Sequence, residues 1–326
     1  MRLFFPFAML QKKKGVVFFM KIAVIGAGAM GSLIGGYLSR ANEVTLIDTD
    51  SAKIEAIQKD GIRIREKDGS ETHVTPGAAT GYDSMGEQDL VILFVKSLFS
   101  RAALAAAKPI IGENTYVMTL QNGAGHDEIL REFVAPERVV IGTTQHNASY
   151  PEPGCVNHGG SGITCIGALT GDNARLAPIA EAFKAGGMDC EISENVQKLI
   201  WHKLFTNVSV SALTGVLQTK IGYMMDDENG WWLCERLVRE AVAVANGDGM
   251  GFDVEEILGE IRALLKNSHD GYTSIYADLR DGRRTEVDTI SGAVVSASHR
   301  NGVPAPSHEF IVKMVHAMEN RVNYKG

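Results

Sequence analysis

The sequence predicts an α/β amino-terminal domain built on a mostly parallel sheet, followed by an all-α carboxy-terminal domain. Three observations carry this. Residues 21–48, KIAVIGAGAMGSLIGGYLSRANEVTLID, hold an apolar run, a glycine-rich turn, a helical pattern and a second apolar run. Further apolar runs without polar alternation, DLVILFVK at 89–96 and TYVMTLQNG at 115–123, have the composition of strands covered on both faces. From about residue 194 the apolar spacing is helical almost to the end.

The first turn, Gly26-Ala27-Gly28-Ala29-Met30-Gly31, has GxGxxG spacing directly after a strand and before a helix. The first glycine permits the tight turn, the second lets backbone approach a pyrophosphate, and the third lets helix pack on strand. Amides at the helix start then face the phosphates. Asp48 lies 20 residues beyond Gly28, at the end of the second strand, where a carboxylate can accept hydrogen bonds from ribose hydroxyls. Glycines also gather in ordinary turns, so the flanking strand, helix and acid are what make this a Rossmann-type dinucleotide site.

Alternation of strand and helix continues through a helix at RAALAAAKPI, a short helix from His126 to Phe133, and VVIGTTQHNA, which is expected to extend the sheet. PEPG at 151–154 turns the chain into the strand-like runs CVNHGG and ITCIGAL. A helix from Ala177 to Ala185 and the strand MDCEIS finish the first domain, giving a nucleotide-binding domain over 20–193 and a helical substrate domain over 194–326. Residues 1–19 are apolar, but their basic cluster follows the apolar run and no small-residue cleavage site appears, so they make a poor signal peptide and are too short to span a membrane. A disordered extension or an upstream start codon ahead of Met20 is expected there.

The 326 residues carry 32 basic and 39 acidic side chains, a net charge of -7, which argues against a nucleic-acid surface and suits a small-molecule enzyme. Cys155, Cys165, Cys190 and Cys234 are scattered, with no CxxC and no histidine at ligand spacing, so neither a metal site nor a disulfide framework is indicated. A cytoplasmic location, with no nucleic-acid or membrane partner, is the expectation. The pair Trp231-Trp232 is as compatible with core as with an interface, and a homodimer stays open.

Residues 194–215, ENVQKLIWHKLFTNVSVSALTG, read as a long helix on which Lys203, Asn207 and Ser211 recur at i, i+4 and i+8 along one face. Leu199, Ile200, Leu204, Val208 and Leu213 are apolar, so the polar line runs along an otherwise buried helix. A single lysine of this kind is more often solvated, and three aligned polar groups weaken that reading. A second cluster at 271–292, GYTSIYADLRDGRRTEVDTISG, offers Ser274 and Glu286, although an acid in a charged run is commonly a surface ion pair. His202 competes with Lys203 as an acid, but it lies about 100° around the helix, off the Asn207 face, and reads as a packing histidine.

Together, MKIAVIGAGAMGS, Val95-Lys96, Gln121-Asn122-Gly123, the WHKLFTN helix and YTSIYADLRDGRRTEVDTISG resemble, in order, the ketopantoate reductase (2-dehydropantoate 2-reductase) family from about Met20 to the end. The resemblance implies reduction of a branched 2-keto acid, 2-dehydropantoate to (R)-pantoate in the family's usual reaction, by hydride from a nicotinamide cofactor. It makes Lys203 the general acid that protonates the keto oxygen, with Glu286 helping to hold the lysine and the cofactor ribose. Asn207 would bind the distal hydroxyl or keto group of the substrate and Ser274 its carboxylate end. Asn122 would stand between nicotinamide ribose and substrate, Lys96 at the cleft edge, and Ala148 in backbone contact with the cofactor.

Two departures bear on function. Ser211 stands where many members carry a second asparagine, so the substrate end of the pocket keeps a hydroxyl and loses an amide. Where NADPH-using relatives place an arginine, this chain reads Asp48-Thr49-Asp50-Ser51, which repels a 2′-phosphate and favours NADH over the NADPH usual for the family, with Lys53 the cation able to compensate. Both departures lean toward an alternative, an NAD-dependent D-2-hydroxyacid dehydrogenase for aromatic or branched substrates. A third reading, a non-catalytic NAD(P)-sensing module, leaves Lys203 without a purpose.

Overall fold

The computed structural model describes residues 12–13, 16–17, 20–170, 172–322 and 324. The described residues form two compact units: one holds those up to Gln121 and from His126 to Val196, the other Asn122–Gly125 and those from Gln197 onward. The turn Asn122–Gly125 therefore groups with the helical unit, apart from the 20–193 span in which the sequence places it. The expectation for residues 1–19 lies outside the described residues, save that β1 (Lys12–Lys13) pairs antiparallel with β2 (Val16–Val17).

In the first unit, β3 (Lys21–Ile25), α1 (Ala29–Leu38), β4 (Glu43–Ile47) and α2 (Ser51–Asp60) form the opening βαβα run. Then come β5 (Ile62–Glu66), β6 (Glu71–Val74), β7 (Gly77–Ala79), β8 (Leu90–Leu93), α3 (Ser100–Ala106), β9 (Tyr116–Thr119), α4 (His126–Leu130) and β10 (Val139–Thr144). β11 (Asn147–Glu152), β12 (Cys155–Gly160), β13 (Thr164–Ala168), α5 (Ala177–Ala185) and β14 (Cys190–Ile192) complete it. Among the described residues the main sheet has the order β14-β13-β10-β9-β8-β3-β4-β7. It is parallel except where β10 meets β13. Residues Ile22–Ile25 and the whole of β8 are buried, as strands covered on both faces must be. Strand order reverses between β3 and β8, and the glycine turn leaves the carboxyl end of β3 there, the usual position of a ligand in such sheets.

Several elements depart from the sequence reading. A second sheet, β11-β12-β5-β6, was not anticipated. The run VVIGTTQHNA belongs to the main sheet only as far as Thr144, because Asn147 onward pairs with β12, and β12 in turn pairs with β5, where His158 stands opposite Glu66. Glu66 ties this sheet to α1, accepting hydrogen bonds from the Tyr37 hydroxyl and from His158 Nδ1, the latter at 2.7 Å. The helix expected over RAALAAAKPI ends at Ala106 and tightens into a 3₁₀ turn at Lys108–Ile110 around Pro109. The short helix from His126 stops at Leu130.

The helical unit comprises α6 (Val196–Leu217), α7 (Tyr223–Asp226), α8 (Glu228–Gly247), α9 (Val254–Asn267), α10 (Ser274–Arg280), α11 (Ser291–Asn301) and α12 (Pro306–Arg321). Asp227 and Asp253 cap α8 and α9, their carboxylates accepting from Gly230 N and from Glu255 and Glu256 N, and Pro306 opens α12 at a position where no N–H is needed. Its core gathers Phe205, Val208, Leu237, Ala241, Ile261, Ile275 and Val294 around α6. Trp231 packs partly buried against this core with the Arg262 guanidinium 4.2 Å over its ring, whereas Trp232 is exposed. Among the described residues no helix is long and apolar enough to cross a membrane.

Candidate active site

The glycine turn has the geometry its three glycines require. Gly26 adopts φ +104°, and a Cβ on it would stand 2.7 Å from Phe94 C and Val95 N; one on Gly31 would stand 1.8 Å from the Gly26 carbonyl oxygen. A Cβ on Gly28 would meet nothing among the described residues within 4 Å. Two glycines thus allow close packing of turn on strand, and the third keeps the helix mouth open. Gly28 is also the N-cap of α1 and gives no side-chain cap, so the first amides of the helix have no internal acceptor. That arrangement fits a pyrophosphate.

Asp48 follows β4 and turns back on the same turn. Its Oδ2 accepts from Ala27 N at 2.8 Å and from Lys53 Nζ at 2.9 Å, while Oδ1 accepts from Asp50 N at 3.1 Å. Lys53 lies 5.8 Å from the centre of the Tyr150 ring. Lys53, the possible compensator, is therefore already engaged by Asp48, and with Asp50 beside the pair two carboxylates face this one lysine. Lys96, half-buried, follows the end of β8 and precedes a 3₁₀ turn. Gln121, which the sequence reading left without a role, braces that region: its amide donates to the Val95 carbonyl and to Ser100 Oγ (3.0 Å) and accepts from Thr119 Oγ1 (2.9 Å). Ala148 lies on β11, in the second sheet, and packs against the core of this unit.

In the helical unit, Lys203 and Asn207 are half-buried and Ser211 is buried, along one face of α6. The helix is enclosed on most sides, with Leu204, Val208, Leu213 and Thr214 buried. Burial brings the Lys203 ammonium down from 10.5 to about 8, because a charge removed from water favours its neutral form. His202, expected as a packing histidine, packs only by one ring contact at the surface. It is exposed, its Nε2 lies 2.7 Å from Glu260 Oε2 on α9, and its ring stacks on Phe252.

Ser274 is the exposed first residue of α10, and Thr273 before it fixes its place. Thr273 Oγ1 accepts from Tyr276 N at 3.2 Å, lies 2.8 Å from Thr214 Oγ1, and donates to the Ser211 carbonyl at 3.3 Å. The Ser211 turn of α6 is thereby held against the start of α10, where Ser274 lies. Glu286 is half-buried between buried Thr285 and Val287, and its carbonyl accepts from Thr289 N and Ile290 N at the entry to α11. The Asn122 turn docks on the same segment: Ala124 N donates to the Thr289 carbonyl at 2.9 Å, and Thr289 Oγ1 reaches the Asn122 carbonyl at 3.5 Å. Residues 164 positions apart in sequence, Asn122 and Glu286, thus share one structural neighbourhood. Among the described residues no cluster of histidine, cysteine or acid side chains could hold a metal ion, and the cysteines are free.

The family profile described as Ketopantoate reductase PanE/ApbA matches residues 22–171, and the profile of its C-terminal part matches 195–319. A 2-dehydropantoate 2-reductase of Halobacterium salinarum is 35% identical over 289 residues, covering 88% of this chain and 95% of that protein. A solved ternary structure of D-mandelate dehydrogenase with NADH and anilino(oxo)acetate is similar at a TM-score of 0.86 and 29% identity, covering 94% of this chain and 100% of that one. A PanE/ApbA family ketopantoate reductase of Ralstonia eutropha follows at 0.84 and 28%, with the same coverage.

Proposed function

Because the chain belongs to the Ketopantoate reductase PanE/ApbA family, we propose that it is an oxidoreductase that reduces 2-dehydropantoate to (R)-pantoate. Gly26–Gly31 would hold the pyrophosphate of a nicotinamide cofactor and Asp48 its adenosine ribose, and the cofactor, when bound, would supply the hydride. As hydride reaches the carbonyl carbon, negative charge develops on the keto oxygen, and the Lys203 ammonium stabilises that charge and gives up a proton to it. The product is the 2-hydroxy acid, and Lys203 regains its proton from solvent.

The observation that carries this reading is the Lys203 ammonium, held at about 8 on the face it shares with Asn207 and Ser211. A donor of that strength is charged at neutral pH yet parts with its proton more readily than a solvated lysine. Asn207 and Ser211 orient the distal substrate groups and Ser274 its carboxylate. Glu286 holds Lys203 and the cofactor ribose, and Asn122 sits between ribose and substrate, a pairing supported by the contact of the Asn122 turn with Thr289. Lys96 and the Ala148 backbone complete the cofactor contacts.

A second reading, an NADH-dependent D-2-hydroxyacid dehydrogenase, is favoured by Ser211 and by an Asp48 carboxylate already turned onto the glycine turn. Initial rates with ketopantoate, 2-ketoisocaproate and phenylglyoxylate, each with NADH and with NADPH, separate the two. The first reading expects the highest kcat/KM with ketopantoate; a rate no better than with the other two acids sinks it.

A further inference from the structure

We propose that Glu319, in the last helix, is a positioning residue for Glu286, gripping the segment that carries it through Thr285 and Arg284. The inference rests on the role given to Glu286 above. Helix α12 buries His308, Ile311, Val315 and Glu319. The last three are spaced four apart on one face, so an acid occupies the position where the pattern calls for an apolar residue. A carboxylate there is costly unless every lone pair finds a donor.

Three of its four donors come from Arg284 and Thr285, and the fourth from His316 on its own helix. Oε1 accepts from Thr285 N and from Thr285 Oγ1, each at 2.8 Å, and Oε2 accepts from Arg284 Nη1 at 2.7 Å and from His316 Nδ1 at 3.0 Å. Only 2% of the Glu319 side chain is exposed. Burial pushes its carboxyl up, but the bonds from Thr285, His316 and Arg284 outweigh this and bring it down to about 2, so it is ionised throughout the neutral range. His316 extends the grip to the far side of Glu286, its Nε2 lying 2.9 Å from Asp288 Oδ1. Thr285 Oγ1 in turn accepts from Val287 N at 3.2 Å. Residues 284, 285, 287 and 288 are thus fixed around Glu286 from a helix that the proposed chemistry does not otherwise use.

Glu319→Gln tests this, because glutamine keeps the volume and one acceptor but turns an NH2 toward the Arg284 and His316 donors. With active sites counted by cofactor titration, kcat should fall about tenfold or more while the keto-acid KM changes less than about twofold, as misplacement of a reacting group does. In a Glu286→Gln background the same change should cost nothing further. Equal losses in both backgrounds, or full kcat in folded Glu319→Gln, overturn the proposal while leaving Glu286 in its role. A Glu286→Gln enzyme with wild-type turnover overturns that role itself and the proposal with it. If Glu319→Gln does not fold, Thr285→Val should lower kcat and Thr285→Ser retain it; wild-type kcat in Thr285→Val overturns the grip.

Discussion

Gly123 lies against the Thr289 backbone so closely that a Cβ on it would stand 2.1 Å from the Thr289 carbonyl oxygen. With φ at +98° it also holds a conformation that other residues reach only with strain. This contact seats Asn122 beside the Glu286 segment within the helical unit, and Gly123→Ala should cost at least about 2 kcal/mol of stability together with most of the activity. Thermal denaturation and turnover measured on one preparation check it; an alanine variant with unchanged midpoint and rate would show that the turn yields freely.

Gly28 and Gly31 should respond in opposite ways. Alanine at Gly31 meets the Gly26 carbonyl at 1.8 Å and should disrupt folding of the first unit, whereas alanine at Gly28 has open space around it. Gly28→Ala should keep its thermal midpoint within about 2 °C and weaken nicotinamide cofactor binding about tenfold or more, since only the bound pyrophosphate needs that space. Cofactor titration by fluorescence quenching distinguishes the two. Wild-type affinity in Gly28→Ala would remove the turn from the phosphate site.

The depressed Lys203 value sets a pH limb. The proposed donor role needs the ammonium, so kcat/KM for reduction should be level below about 8 and fall as pH rises through that value, while kcat/KM for oxidation of the hydroxy acid should rise over the same range. Lys203→Ala should lose about 10²-fold in kcat and lose the limb with it. His202→Ala, at an exposed side chain turned to Glu260, should stay within about twofold of wild type. A limb that persists in Lys203→Ala would assign it to another group.

Cofactor preference should turn on one ion pair. With Lys53 drawn 2.9 Å from Asp48, removing the acid frees a cation for a 2′-phosphate, and removing the lysine leaves a bare carboxylate that repels it. Asp48→Ala should therefore raise, and Lys53→Ala lower, the ratio of kcat/KM with NADPH to that with NADH, each by about tenfold, or 1.4 kcal/mol. Ratios that do not move apart would place the ribose elsewhere.

Local chemistry made part of this legible before any coordinates. Parallel strands buried on both faces announce themselves as unbroken apolar runs, and GAGAMG between strand and helix has few other uses, so the first sheet and its turn could be read directly. The line of Lys203, Asn207 and Ser211 could be read because helical spacing is fixed. The second sheet escaped because β5 pairs with β12, whose first residue, Cys155, lies opposite Arg63, and no local pattern records a partner that remote. The alternation in IRIRE and the Asp68-Gly69 turn that follows it were the local signs of a strand there. Glu319 also left a trace, an acid on the apolar stripe of α12, but the stripe alone does not say what the acid holds.

By itself, then, the sequence determined the fold class, the dinucleotide turn, the helix carrying the lysine and the family, since each depends on short-range spacing or on motif order. Only the tertiary structure decided that Asp48 is paired with Lys53, that His202 turns to Glu260, that the Asn122 turn belongs with the Glu286 segment, and that Glu319 grips Thr285. All but the first of these join residues more than 30 positions apart, and the first turns on which way a side chain points. Both are settled by packing and by the need of buried charges for partners, which no local pattern encodes.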